Sequence, residues 1–428
     1  MGLNIQHRNK NTLKWFALFT IFAAKQHKQV KKRVAVGISG GVDSSVAAYL
    51  LKQQGYDVMG MFMINWHDTT GTLSGDCPWN DDLLFAELVA RKLDIPLKTV
   101  DFSEEYKTRI VDYMFSEYEK GRTPNPDVLC NREVKFDLFL KAALQEGADY
   151  IATGHYCRKA ALQTEEGKIY RLFAGTDASK DQSYFLCQLS QSQLEKALFP
   201  VGNLLKSEVR RIARENNLAT AERKDSQGLC FIGKIHLPDF LRQKLQRKAG
   251  SVVEIPADLP AYKEYAGLHR HFLSTGEGCP ELTHDFVYSP EDGTVIGTHN
   301  GAHYYTVGQR KGLNIGGKAE PLFVLKPDTA GNCLYVGMGH SHPGLNRWGL
   351  FIPGNDIHWL RHDLALRPGQ TRKVMARVRY RQALQNATLF CETGGMYMLF
   401  EKRQRGITAG QFAAWYDGEE LLGSGVIS

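Results

Sequence analysis

The sequence predicts an α/β protein with an N-terminal doubly wound parallel sheet, followed by a small central mixed domain and a C-terminal all-β barrel. Three observations predict it. From Lys32 to about Tyr156 short apolar runs alternate with amphipathic helical stretches; from 226 to 320 that rhythm breaks into short Gly- and Pro-rich pieces; from Pro321 short apolar alternations are separated by Gly, Pro and Asn. A chain of 428 residues is also too long for one ordinary core.

In the first region "RVAVGI", "DVMGMFMIN", "LKTVDF" and "DYIATGHY" read as buried strands, with "SSVAAYLLKQQG", "DDLLFAELVARKLD" and "FDLFLKAALQEG" as helices between them. Helical crossovers between short buried strands imply a parallel sheet covered on both faces, with its loops at the carboxyl ends of the strands. The charged helix "LLKSEVRRIARENN" closes this part, giving a domain over residues 32–225. Residues 226–320 form the central domain, with an apparent surface insertion near 257–286. Residues 321–428 form the barrel.

The first 42 residues contain no Asp or Glu, and Trp15–Ala24 is an apolar run. It is far shorter than the roughly 18 residues of a membrane span, and a signal or transit segment is the alternative, against which stand a poor cleavage site and scarce arginine; no membrane association is expected and residues 1–31 are read as an extension outside the fold. A net charge of +7 is compatible with a polyanionic partner but does not require one. The eight cysteines include no C-x-x-C pair, which argues against a zinc ribbon. In a chain of this size they read as reduced thiols of a cytoplasmic protein.

Chemistry enters at "GISGGVDSS", Gly37–Ser45. A strand ending at Ile38, a glycine pair and a helix starting near Val42 aim backbone N–H groups at an anion. Ser39, Ser44 and Ser45 are candidate hydroxyl donors. Asp43 would be repelled by bare phosphate, so it is expected to face a Mg²⁺ ion bridging the two. The loop lacks a Walker lysine and suits a reaction in which pyrophosphate leaves and AMP is transferred.

Two cysteines have distinctive surroundings. In "RTPNPDVLCNREVKF", Pro126 opens a helix, Asp127 stands in its first turn and Cys130 lies three residues on along the same face. A helix start and the nearby Arg132 favour thiolate there, although a lone helical cysteine also serves as a small apolar residue. In "DSQGLCFIG", Cys230 follows the turn at Gly228, a place for a mobile thiol or a buried one.

Together, "SGGVDSS", "RTPNPDVLCNREVKF", "ATGHY", "KDQSYFL", "DSQGLCFIG" and "YTVGQRKGL" closely resemble the tRNA-specific 2-thiouridylases, members of the PP-loop ATP pyrophosphatase superfamily, from about Lys32 to the C-terminus. The resemblance implies ATP-dependent sulfur transfer to carbon 2 of the wobble uridine of tRNA. It implies ATP contacts by Gly37, Ile38, Ser39, Gly40, Gly41, Val42, Asp43 and Ser44, with Met63 and Gly154 on the adenosine side. Cys230 would accept sulfur as a persulfide from a donor protein. Cys130 would be its partner nucleophile, forming a transient disulfide, and Asp127 the acid/base. Asn125 and Pro126 would meet the target base, and His155, Lys180, Asp181, Gln182, Arg379, Tyr380 and Gln411 would contact tRNA.

The alternation of Arg377, Arg379 and Arg381 with Val378 and Tyr380 reads as an arginine-lined strand face, solvated or facing phosphate. Arg310 and Lys311 in "GQRKG" sit on an expected glycine-flanked turn. His269, His271, Cys279 and His284, in the insertion, fit no standard zinc spacing. The rival readings are another PP-loop adenylating enzyme, which would not need the cysteine pair, and a non-catalytic tRNA-binding protein, which would not need Asp43, Asp127, Cys130 and Cys230 together.

Overall fold

The computed structural model describes residues 31–67, 79–225 and 237–428. Cys230, Gly228 and Cys77 lie outside the described residues. A five-stranded parallel sheet runs in the order β3-β2-β1-β4-β7, with β1 at Arg33–Gly37, β2 at Asp57–Ile64, β3 at Leu97–Asp101, β4 at Tyr150–Ala152 and β7 at Ala197–Leu198. β1 and β2 are almost wholly buried, which is why they read as continuous apolar runs instead of alternations. Helices α1 (Val42–Gln53) and α2 (Asn80–Leu93) follow β1 and β2.

The order reverses between β1 and β4, which pair in register from Val34↔Tyr150 to Val36↔Ala152. In an open α/β sheet a crevice opens beyond the carboxyl ends of the strands at such a switch point. The loop after β1 is the glycine loop, and the loop after β4 carries Gly154 and His155. The doubly wound topology therefore brings these two segments, over a hundred residues apart, side by side at the carboxyl end of the sheet.

Strand pairing redraws two expected boundaries. β5 (Cys157–Thr164) and β6 (Gly167–Ala174), expected within the N-terminal domain, form a hairpin that joins the large C-terminal antiparallel sheet through β18 (Glu420–Val426). β10 (Leu322–Asp328) and β11 (Cys333–Met338), expected in the barrel, pair instead with β8 (Gly250–Glu254) and β9 (Thr294–His299) in a four-stranded central sheet. Short alternating strands look alike whichever sheet receives them, so local pattern cannot assign the partner.

The barrel domain proper is built on β12 (Asn346–Pro353), β14 (Thr371–Arg377), β15 (Gln385–Glu392), β16 (Gly395–Arg405), β17 (Phe412–Asp417) and β18. Its interior holds Leu350, Met398, Phe400 and Trp415, all fully buried. The expected surface insertion supplies an ordered helix over Pro260–Thr275. Its Tyr265 and Phe272 pack against Phe390, Tyr397 and Leu399 of the barrel. His269 stacks on Trp348 with ring centroids 4.4 Å apart, while Cys279 donates to Glu281. Among the described residues no group of three His, Cys, Asp or Glu side chains is placed to hold a metal. No described helix is long and apolar enough to cross a membrane.

Candidate active site

The glycine loop is shaped as an anion cradle. Gly40 has φ +71°, and a Cβ there would strike the backbone of Asp82, so the tight turn after β1 requires glycine. Gly41 is the N-cap of α1 in extended conformation and has no side chain to cap the helix, which leaves the first N–H groups of α1 uncapped by it. A Cβ on Gly154 would lie 2.7 Å from Asp43 C and Ser44 N, so only glycine lets the β4 loop approach this closely. The Met63 side chain lies 3.4 Å from where a Gly37 Cβ would stand. The fold thus gathers Gly37, Ile38, Ser39, Gly40, Gly41, Val42, Asp43, Ser44, Met63 and Gly154 in one place.

The serines divide their roles. Ser44 Oγ accepts from Ser39 N at 3.2 Å, lies 3.3 Å from Ser39 Oγ and donates to Gly41 O at 3.1 Å, so it ties the two sides of the loop together beside Ser39. Ser45, expected to donate to phosphate, is fully buried and donates to Gly41 O at 2.8 Å. It braces the loop from behind.

Asp43 is already engaged. Its carboxylate accepts from Tyr156 OH at 2.7 Å and from Lys206 Nζ at 2.7 and 2.8 Å. Lys206 is the first residue of helix α4 (Lys206–Glu215), and its ammonium also pairs with Asp225 at 2.8 Å. Asp225 further accepts from Lys180 and Arg210 at 2.8 and 2.9 Å. Burial alone would raise the Asp225 carboxyl, but hydrogen bonds from Lys180 and Lys206 outweigh it and hold the group at about 2. Burial and then the Asp43 carboxylate push the Tyr156 phenol far up, so it remains a donor.

A lysine absent from the loop therefore arrives from 163 residues downstream. Sequence reasoning missed Lys206, Tyr156, Asp225 and Arg223, whose guanidinium donates to Gly40 O at 2.9 Å. Lys206 opens a charged helix that reads as a solvated face. Nothing local marks its partner.

The second cluster begins at Asn125. Its Oδ1 accepts from Val128 N at 3.2 Å and caps the short helix α3 (Pro126–Leu129), with Pro126 at the first position as expected. Asp127 is half-buried in that turn, and its carbonyl accepts from Asn131 Nδ2 at 2.9 Å. From Cys130 to Leu138 the backbone is π-helical, a geometry frequent at functional sites. The Cys130 side chain is completely buried in the main core cluster. Arg132, expected to favour thiolate there, is instead committed to Glu133 at 2.7 Å and Gln188 at 2.9 Å.

The residues expected at tRNA separate into inward and outward groups. Asp181 is buried and pairs with Arg377, while accepting from Gly175 N and Ser183 N. Gln182 Oε1 accepts from Tyr156 N at 3.0 Å. His155 is buried with Nδ1 2.7 Å from Thr153 Oγ1; burial, and then Lys135, push its imidazole well below the usual range, so it is held neutral. Arg310 and Lys311 are exposed between Gly308 and Gly312, both at positive φ.

The expected arginine-lined strand face does not form. β14 ends at Arg377, whose guanidinium is buried against Asp181, Ser183 and Tyr416. Beyond it the chain turns, with Arg381 at φ +64°. Arg379 donates to Gly406 O at 2.5 Å, and Tyr380 packs on Phe185 with centroids 4.2 Å apart. Arg377 and Asp181 are only 6% and 7% exposed. Arg377→Met would strand a buried carboxylate and is expected to cost about 3–5 kcal/mol in denaturant unfolding. Pairing it with Asp181→Asn should recover much of that loss.

Curated relatives align with nearly the whole chain. A protein of Christiangramia forsetii named "tRNA-specific 2-thiouridylase MnmA" is 60% identical over 397 residues, 93% of this chain and 100% of the relative. The chain belongs to the tRNA-specific 2-thiouridylase family. Relatives of the same name in Flavobacterium johnsoniae and Shouchella clausii are 59% and 44% identical, over 93% and 94% of this chain and 100% and 97% of theirs.

Family profiles described as "tRNA methyl transferase HUP domain", "tRNA methyl transferase PRC-barrel domain" and "Aminomethyltransferase beta-barrel domain" match residues 32–234, 283–338 and 352–427. Those descriptions speak of methyl transfer, but the full-length relatives bear the thiouridylase name, and whole-chain identity is the stronger criterion for membership. The second profile ends with β11, in keeping with the strand pairing that assigns β10 and β11 to the central sheet. Among solved structures, "Crystal structure of a 4-thiouridine synthetase - RNA complex with bound ATP" is 18% identical, covering 50% of each chain with a TM-score of 0.33.

Proposed function

We propose that the chain catalyses ATP-dependent 2-thiolation of the wobble uridine of tRNA, consuming ATP as a substrate. The observation that carries this is the near-complete alignment with relatives named tRNA-specific 2-thiouridylase, the first at 60% identity. The geometry supplies the matching parts. ATP would leave AMP on the uracil oxygen and so turn a poor leaving group into a good one.

The cradle after β1 holds the phosphates through the N–H groups opening α1 and the Ser39 and Ser44 hydroxyls. Its fit rests on Gly40 and Gly154, where a Cβ would strike the backbone of Asp82 and of Asp43–Ser44, and on Gly41, which leaves the first turn of α1 uncapped. Mg²⁺, if carried with ATP, would be held by Asp43. Lys206 supplies the positive charge that the loop itself lacks, moving from Asp43 toward the phosphates while Asp225 retains it at the site.

Sulfur transfer falls to Cys130 and Cys230. A donor protein of the cysteine desulfurase or relay type leaves a persulfide on Cys230. Its terminal sulfur adds to carbon 2 as AMP departs; Cys130 thiolate then attacks Cys230 Sγ, breaking the S–S bond and leaving a Cys130–Cys230 disulfide that an external dithiol reduces. Cys130 is buried, so the step requires its segment to open. Asp127 manages the proton at the base, beside Asn125 and Pro126. We assign Lys180, Gln182, His155, Arg379 and Tyr380 to the tRNA path and the reaction to the cytoplasm.

Pyrophosphate release from ATP tests the first half-reaction. It is expected to require unmodified tRNA and to persist without a sulfur donor. Release independent of tRNA would favour a different adenylating enzyme.

A further inference from the structure

Gln411 stands immediately before β17, yet its carboxamide is spent on the loop that precedes α3. Its Nε2 donates to Thr123 O at 2.9 Å and to Pro124 O at 3.1 Å, while its Oε1 accepts from Asn125 Nδ2 at 3.2 Å. Both amide N–H groups and the carbonyl are thus used on three consecutive residues. The backbones also dock: Thr123 N donates to Ala409 O at 2.9 Å. Gly410, at φ +89°, comes so near that a Cβ would lie 3.0 Å from Thr123 O.

Asn125 passes this contact on. Its Nδ2 is held by Gln411 while its Oδ1 caps Val128 N, so one side chain joins the barrel to the first turn of α3. That turn carries Asp127 and runs directly into Cys130. A cap residue whose amide is fixed from outside has one orientation, and the helix start it caps inherits that orientation.

We infer that Gln411 is a positioning residue: the barrel uses it, through Asn125, to align the loop bearing Asp127 and Cys130, and its effect on the reaction is exerted there and not through affinity for tRNA. The inference rests on the thiolation reading above. It differs from the expectation drawn from family resemblance, in which Gln411 serves as a tRNA contact.

The test uses full-length Gln411→Leu, which keeps the side-chain bulk and removes all three hydrogen bonds. The tRNA Kd is expected to stay within about twofold while kcat for thiolation falls about tenfold or more, the signature of lost alignment instead of lost binding. Alkylation of the buried Cys130 by iodoacetamide, followed by peptide mass spectrometry, should speed up about fivefold or more as the loop loosens. Asn125→Ala should reproduce the kcat loss, and the double variant should lose little beyond either single one.

A tRNA Kd weakened about tenfold with kcat preserved would overturn the inference and make Gln411 a tRNA contact. Unchanged kcat and unchanged Cys130 alkylation would overturn it as well, and so would multiplicative losses in the double variant. Should Gln411→Leu fail to fold, Gln411→Asn, which keeps the amide but falls one methylene short, must show the same pattern. If the unaltered protein forms no thiouridine, the functional reading fails; if it does so and Gln411→Leu behaves like it, only this inference fails.

Discussion

Cys130→Ser and Cys230→Ser are each expected to lower tRNA thiolation by about 10³-fold or more, the scale on which loss of a nucleophile acts, while tRNA-dependent pyrophosphate release persists. The hydroxyl of serine neither carries a persulfide nor opens an S–S bond at neutral pH, so sulfur transfer stops while adenylation continues. Cys130→Ser also places a hydroxyl in the main core cluster, where the thiol is completely buried. Melting curves should accompany the assay, so that loss of sulfur transfer is separated from loss of the fold. Full thiolation by either variant would contradict the relay.

The second large effect belongs to Lys206. Lys206→Met removes the ammonium that bridges Asp43 and Asp225 while keeping much of the stem. We expect kcat/KM for ATP to fall about 10²-fold or more, comparable to the loss of one preorganised donor at a developing charge, with tRNA affinity unchanged. Lys206→Arg should recover part of that activity, because the charge is restored with a different shape. Wild-type ATP kinetics in Lys206→Met would remove the lysine from the phosphate site.

The contrast between Lys206 and Cys130 shows what a linear sequence conveys. The glycine loop, the Pro126 helix start and Asn125 beside it are local patterns, and the local structure follows them: Gly40 turns, Gly41 leaves the helix uncapped, Asn125 caps. The parallel sheet was legible for the same reason, since β1 and β2 are buried on both faces and read as unbroken apolar runs. Lys206, by contrast, acquires its meaning from a carboxylate 163 residues away.

The arginine alternation misled for a related reason. Period-two spacing implies one strand face only while the strand continues, and here it stops at Arg377, where a buried partner on another domain claims the guanidinium. Likewise β10 and β11 have the composition of barrel strands, but β11 takes β8 as its parallel neighbour and carries β10 with it into the central sheet. Partner choice is a property of the assembled fold.

The most direct measurement of the central claim is nucleoside mass spectrometry of unmodified tRNA incubated with the protein, ATP, Mg²⁺ and a persulfide donor labelled with heavy sulfur. The expected result is 2-thiouridine at the wobble position carrying the label, formed only when ATP is present. Absence of thiouridine with every donor tried, or label incorporated without ATP, would contradict the account.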